Sequence, residues 1–284
     1  MAFIQKSHPN LIFFAFTFGF SWLFWGILII FQVSYSTPFG IIFHSIGGLG
    51  PLFGAIFCLF KLESKETRLS FWKRCYQCKG KKWQWLFFSI FFNFLISICV
   101  GIIELLFSTN PIGFSNFGSI IILPVQVLFI LLFNFLAASM EEPGWRGCAL
   151  PIIQIKYNSL LSSLILGTFW AIWHFPLYFI PDSYQNTEVI FGSPLFWIFN
   201  GYIIFPTIIM TWLNKKTDQS ILSAILFHWM INVSGEVFNF GLNFEFVRLS
   251  FYVIIAIVLI WKDKMYVPLT RNFNSKSNKI IADK

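Results

Sequence analysis

Residues Gly118–Pro151 read GSIIILPVQVLFILLFNFLAASMEEPGWRGCALP. From Gly118 to Met140 no side chain is charged, and the run is long enough to cross a bilayer as a helix. It ends on two adjacent carboxylates, Glu141 and Glu142, with Arg146 close behind. Ionisable groups at membrane depth are costly, so they usually face a cavity and carry function. On a helix Glu142 and Arg146 are four residues apart and meet on one face. Glu141 is rotated by roughly 100° and points elsewhere. The simplest division is that Arg146 neutralises Glu142 while Glu141 stays available for chemistry. A charge cluster at a helix end would contain the same residues, so this stretch alone leaves both readings open.

The remainder of the chain fits the membrane reading. Of its 284 residues 57% are hydrophobic, 39 are Phe and only 11% are charged, against about 25% charged in soluble domains. The net charge of +8 is not a nucleic-acid signal, because basic residues of membrane proteins collect in cytoplasmic loops. Leu11–Val33 is too long for the apolar core of a cleavable signal and reads as a first span. Cys75 and Cys78 form a lone C-x-x-C in a basic loop with no second ligand pair nearby. A structural zinc needs four ligands, so reduced thiols are expected there.

Apolar runs of spanning length fall at Leu11–Val33, Phe39–Phe60, Trp85–Phe107, Ser119–Met140, Leu160–Ile180, Phe191–Leu213, Ile221–Phe240 and Val247–Trp261. An all-α fold of eight transmembrane helices is therefore expected. With both termini in the cytoplasm, 19 of the 20 Lys and Arg residues fall on the cytoplasmic side, and only Arg248 lies outside. A cell-membrane, multi-pass protein with cytoplasmic ends is the reading this asymmetry supports. The loop Lys61–Trp83 mixes basic residues with Leu69, Phe71, Trp72 and Tyr76. It suits either an interfacial helix attracted to anionic lipid or a solvated loop. Residues 1–269 form one membrane unit, and 270–284 are a polar tail expected to be disordered.

Two histidine stretches alter the reading of Glu141. If the fourth helix runs past Pro143 and Pro151 to the turn at Tyr157–Ser159, helices four and five make a hairpin. Glu141 and His174 are each about sixteen residues from that turn, so they lie at one depth. His228 and Asn232 are one helical turn apart on one face, and Glu236 continues that face. His44 lacks such partners and reads as structural; Glu104 reads as reaching the outer interface. Asn134, seven residues before Glu141, is a candidate supporting group. A carboxylate can take a proton from water. His and Asn can donate to the oxyanion of a tetrahedral intermediate, one such donor being worth ~2.7–4 kcal/mol. G-x-S-x-G and H-E-x-x-H are both absent.

The motifs Glu141-Glu142-Pro-Gly-Trp-Arg146, Trp170-Ala-Ile-Trp-His174 and His228-Trp-Met-Ile-Asn232 resemble those of the CPBP (Abi) intramembrane protease family, which includes the type II CAAX prenyl endopeptidases. The likeness covers about residues 134–239. The second motif of that family usually begins with Phe; Trp170 holds the place here and is expected to act as another packing aromatic. The resemblance implies an all-helical fold around a cavity opening to the cytoplasm. It also implies that Glu141 activates water with His174, that Glu142 pairs with Arg146, and that His228 and Asn232 form the oxyanion site.

The activity expected is cleavage of a peptide bond near the C-terminus of a prenylated CAAX-type or other membrane-associated protein, without cofactor or metal. The partners expected are that substrate and membrane lipid, with no nucleic acid. Zinc bound by Glu141, His174 and His228 is the alternative within the enzyme class. A transporter, or an immunity-type membrane protein without activity, is the alternative outside it. A transporter would usually show internal repeats and paired broken helices, neither of which is evident.

Overall fold

The first apolar run becomes α1 (Pro9–Ile30), followed by α2 (Pro38–Gly48) and α3 (Gly50–Leu62), which share one span broken at Leu49. The computed structural model describes residues 9–62, 64–77, 82–116 and 124–268. Thr37 opens α2 by accepting the Gly40 N–H, with Pro38 at the first helical position. Both choices suit a helix start. Gly50 and Gly54 let α3 approach Ser21 and Thr17 of α1 closely, as small residues do where membrane helices cross.

The basic loop contains a helix, α4 (Lys65–Tyr76), capped by Ser64 and with Phe71 buried. The long spans α5 (Trp83–Phe107) and α6 (Pro124–Gly144) follow. A π-turn over Trp145–Ala149 joins α6 to α7 (Leu150–Ile153) without breaking the rod. The fourth helix thus runs on through Pro143 and Pro151, as the hairpin reading requires. Asn158 then caps α8 (Ser159–Trp173), and a 3₁₀ turn continues over Phe175–Phe179. The chain closes with α9 (Pro194–Lys216), α10 (Ile221–Val237) and α11 (Leu242–Lys262).

The described residues contain no strand, and seven helical stretches are long and apolar enough to cross a membrane. The run expected at Ile221–Phe240 is shorter, a 17-residue helix. At ~1.5 Å per residue it is about 25 Å long, short of the ~30 Å hydrocarbon core. Glu104 does not reach the interface. It is buried and accepts the Gly113 N–H at 2.6 Å, pinning the loop after α5. Cys58, Cys75, Cys99 and Cys148 form no disulfide. Cys78, the start of the fourth run at Ser119 and the 270–284 tail lie outside the described residues.

Loop contacts define the two ends of the bundle. At one end the Tyr35 N–H donates to Pro181 O, and Asn239 N–H to Gly113 O. At the other, Ser220 Oγ donates to Gln77 O, Leu160 N–H to Met265 O, and Lys82 pairs with Asp218. The second end carries α4 and the basic turns; the first carries the loops around residues 35, 113, 182–190 and 239.

Candidate active site

A cavity of about 590 Å³ runs into the bundle from the first of these ends. Tyr184 and Glu188 stand exposed at its mouth, and Glu141, His174, His228 and Asn232 all line it. The four residues singled out by the motifs, from three different spans, therefore meet in one space. Asn134 and His44 line it too. His44, expected to be structural, faces Tyr35 with ring centres 4.8 Å apart. The mouth lies at the end opposite the basic loops and the chain's C-terminal helix end. A cytoplasmic cavity mouth and cytoplasmic termini, both expected from the sequence, therefore exclude each other.

Glu141 is held by one oxygen. Trp170 Nε1 donates to Oε2 at 2.8 Å and Trp145 Nε1 to the same atom at 3.3 Å. Trp145 is four residues on, within one helical turn; Trp170 comes from α8. The expectation that Trp170 merely packs fails here, because its indole N–H is a donor that Phe lacks. Its ring also lies 4.3 Å below the Arg146 guanidinium and 5.0 Å from the His228 ring. Its carbonyl receives the Nδ1 of His174 at 2.8 Å. A carbonyl only accepts, so His174 carries its proton on Nδ1, and in the neutral ring Nε2 is the acceptor.

Glu142 and Arg146 stand behind the cavity wall, both fully buried. Arg146 Nη1 reaches Glu142 Oε1 at 2.8 Å, the pair read from the four-residue spacing. His228 Nδ1 reaches that same oxygen at 2.9 Å. Arg146 Nη2 donates to Thr207 Oγ1 at 2.9 Å, and Thr207 is held in turn by Ile203 O. Glu142 thus does more than neutralise an arginine: it also orients a histidine of the site. Glu142 Oε2 and Arg146 Nε are buried without hydrogen-bond partners.

The short helix α10 is fixed on both sides of His228. Asn93 Nδ2 donates to Phe227 O at 3.0 Å, and Tyr252 OH donates to Asn93 Oδ1. Trp229 Nε1 donates to Leu131 O at 2.9 Å. Such interhelical bonds hold position where no water competes. Asn134, by contrast, spends its amide on Ile130 O of its own helix. Among the described residues no three His, Cys, Asp or Glu side chains are grouped closely enough to hold a metal ion.

Fold and site together define a polytopic membrane protein with a carboxylate–histidine centre recessed at the bottom of a cavity. Residues 123–234 match the family model described as "Type II CAAX prenyl endopeptidase Rce1-like". The chain is 31% identical over 270 residues to CAAX prenyl protease 2 of Methanococcus maripaludis, covering 91% of this chain and 95% of that protein. The chain belongs to the type II CAAX prenyl endopeptidase family and is a membrane protease of that family.

The shared Glu142 oxygen generates a stability prediction. Glu142→Gln strands Arg146, and breaking a buried pair costs on the order of 3–5 kcal/mol. Thermal melts in detergent should show a large loss for Glu142→Gln and partial recovery for Glu142→Gln with Arg146→Gln, which leaves no unpaired charge. An unchanged melt for Glu142→Gln would remove the pair from any structural role.

Proposed function

We propose that this protein hydrolyses a peptide bond near the C-terminus of a prenylated CAAX-type protein by a metal-free, glutamate-based mechanism. The observation that carries this is the floor of the cavity. There Glu141 has one oxygen clamped by two indole donors, and His174 has Nδ1 tied to a carbonyl. Glu141 Oε1 and His174 Nε2 are then the two acceptors for one water. As the water oxygen attacks the scissile carbonyl carbon, its proton passes to Glu141. The carbonyl oxygen becomes an oxyanion within reach of donors from His228 and Asn232. When the C–N bond breaks, the proton held by Glu141 goes to the leaving amine.

His228 already donates Nδ1–H to Glu142, so donating to the oxyanion from Nε2 requires a second proton. The Glu142 carboxylate is the counter-charge for that imidazolium, and Arg146 and Thr207 keep the carboxylate in place. Glu142 and Arg146 are positioning residues on this account. The double variant Glu142→Gln with Arg146→Gln therefore regains stability without regaining activity.

The charge asymmetry favours cytoplasmic termini in the cell membrane, which directs the cavity mouth to the opposite face. A lipidated substrate would then arrive from that face or sideways from the bilayer.

Glu141→Gln preserves size and polarity and removes the base. Cleavage of a farnesylated CAAX peptide should fall by about 10²–10⁴-fold, with the melting temperature unchanged. Near wild-type turnover in this variant would dismiss Glu141 as the base. Strong chelators should leave wild-type turnover intact. Loss on chelation with recovery on stoichiometric zinc would instead favour the metal reading. For topology, Cys75 is a poor reporter, since burial pushes its thiol up to about 11. Cysteines placed at the exposed Thr187 and Lys65 serve better. An impermeant reagent added to intact cells should label Thr187→Cys and miss Lys65→Cys. The reverse pattern puts the cavity mouth in the cytoplasm.

A further inference from the structure

Arg248 sits in the cavity wall, 4% exposed, and is the one Lys or Arg among the described residues lining that cavity. It is also the single basic residue that the charge asymmetry leaves at the far end of the chain's spans. Its nearest acid, Glu245, lies on the same helix with Oε1 at 3.6 Å, beyond hydrogen-bond length. Glu245 is held elsewhere, its Oε2 accepting from the Tyr202 hydroxyl at 2.5 Å. Arg248 Nη2 donates to Ser234 Oγ at 3.1 Å, the guanidinium lies 5.2 Å from the centre of the Tyr202 ring, and Nε is buried without a hydrogen-bond partner. Its one acid lies at 3.6 Å on its own helix and its Nε is unpaired, so the guanidinium keeps donor capacity for a second anion. A bidentate carboxylate is the ligand that would complete it.

The position is informative. Ser234, which anchors Arg248, is six residues beyond His228 on α10. At ~1.5 Å per residue that is about 9 Å along the helix. Three extended residues span about 10 Å. A peptide whose scissile carbonyl lies beside Glu141 and His228 would thus bring its terminal carboxylate, three residues on, to the level of Arg248. Glu188 and Glu236 also line the cavity and repel a chain end from their own positions, while at Arg248 the guanidinium has to outweigh the neighbouring Glu245.

We propose that Arg248 binds the C-terminal carboxylate of the substrate and thereby sets how many residues are removed. This rests on the endopeptidase reading above. It assigns the recognised group by its chemistry, a free α-carboxylate at the end of an extended tripeptide.

The test uses two farnesylated peptides of identical sequence, one ending in a free carboxylate and one in a carboxamide, with the full-length protein in detergent. Wild type should cleave the amide with kcat/KM lower by about ten- to hundred-fold, the worth of one charged hydrogen bond. The loss should fall mainly on KM, as for an interaction made before and during the reaction. Arg248→Gln should cleave both peptides at one slow rate, and Arg248→Lys should keep part of the preference. The wild-type comparison needs no variant, so it stands even if Arg248→Gln does not fold. Equal cleavage of acid and amide by wild type overturns the anchor and leaves the endopeptidase reading standing. So does an undiminished acid preference in a folded Arg248→Gln or Arg248→Lys. Failure of wild type to cleave either peptide overturns the endopeptidase reading and the anchor with it.

Discussion

One carboxylate oxygen, Glu142 Oε1, receives both Arg146 and His228. Through them it ties three spans. Arg146 continues to Thr207 on α9, and His228 belongs to α10. An ion pair with no exposed surface is a poor source of net stability, because desolvation offsets most of the Coulomb gain. What it secures is geometry. The three helices must keep their relative places for the guanidinium and the imidazole to reach that one oxygen together. The cavity floor is the face of that arrangement which the buried cluster leaves toward the mouth.

The floor is assembled from local and distant parts, and these differ in how far the sequence reveals them. The pair Glu142–Arg146 follows from a four-residue spacing, and the same spacing brings Trp145 beside Glu141. The shared depth of Glu141 and His174 follows from their equal distances to the turn capped by Asn158. It survives the two prolines because the π-turn at Trp145–Ala149 absorbs the misfit without ending the helix. The three motifs mark the lining residues correctly as neighbours, since Glu141, His174, His228 and Asn232 share one cavity.

Other features depend on tertiary contacts that leave no periodic trace. Nothing near Thr207 advertises that it will meet Arg146 from another span. His228 has the same spacing to Asn232 whether or not its ring turns to Glu142. Glu104 looks like an interfacial residue from its place near a helix end, yet a backbone N–H nine residues later captures it. Apolar run length overestimates α10, because Phe238 and Phe240 are buried in the loop beyond the helix rather than in a further turn.

Trp170 touches Glu141 through its indole nitrogen, His174 through its carbonyl, and both Arg146 and His228 through its ring. A position wired to so many partners cannot drift independently. Phe at this position would keep a ring under the guanidinium but delete a donor to Glu141. Trp145, at 3.3 Å, would be left holding that oxygen alone. A chain with Phe here would have to orient the glutamate by some other donor or hold it more loosely. The residue at 170 cannot be exchanged alone: its substitution has to be matched by whatever else can reach Glu141.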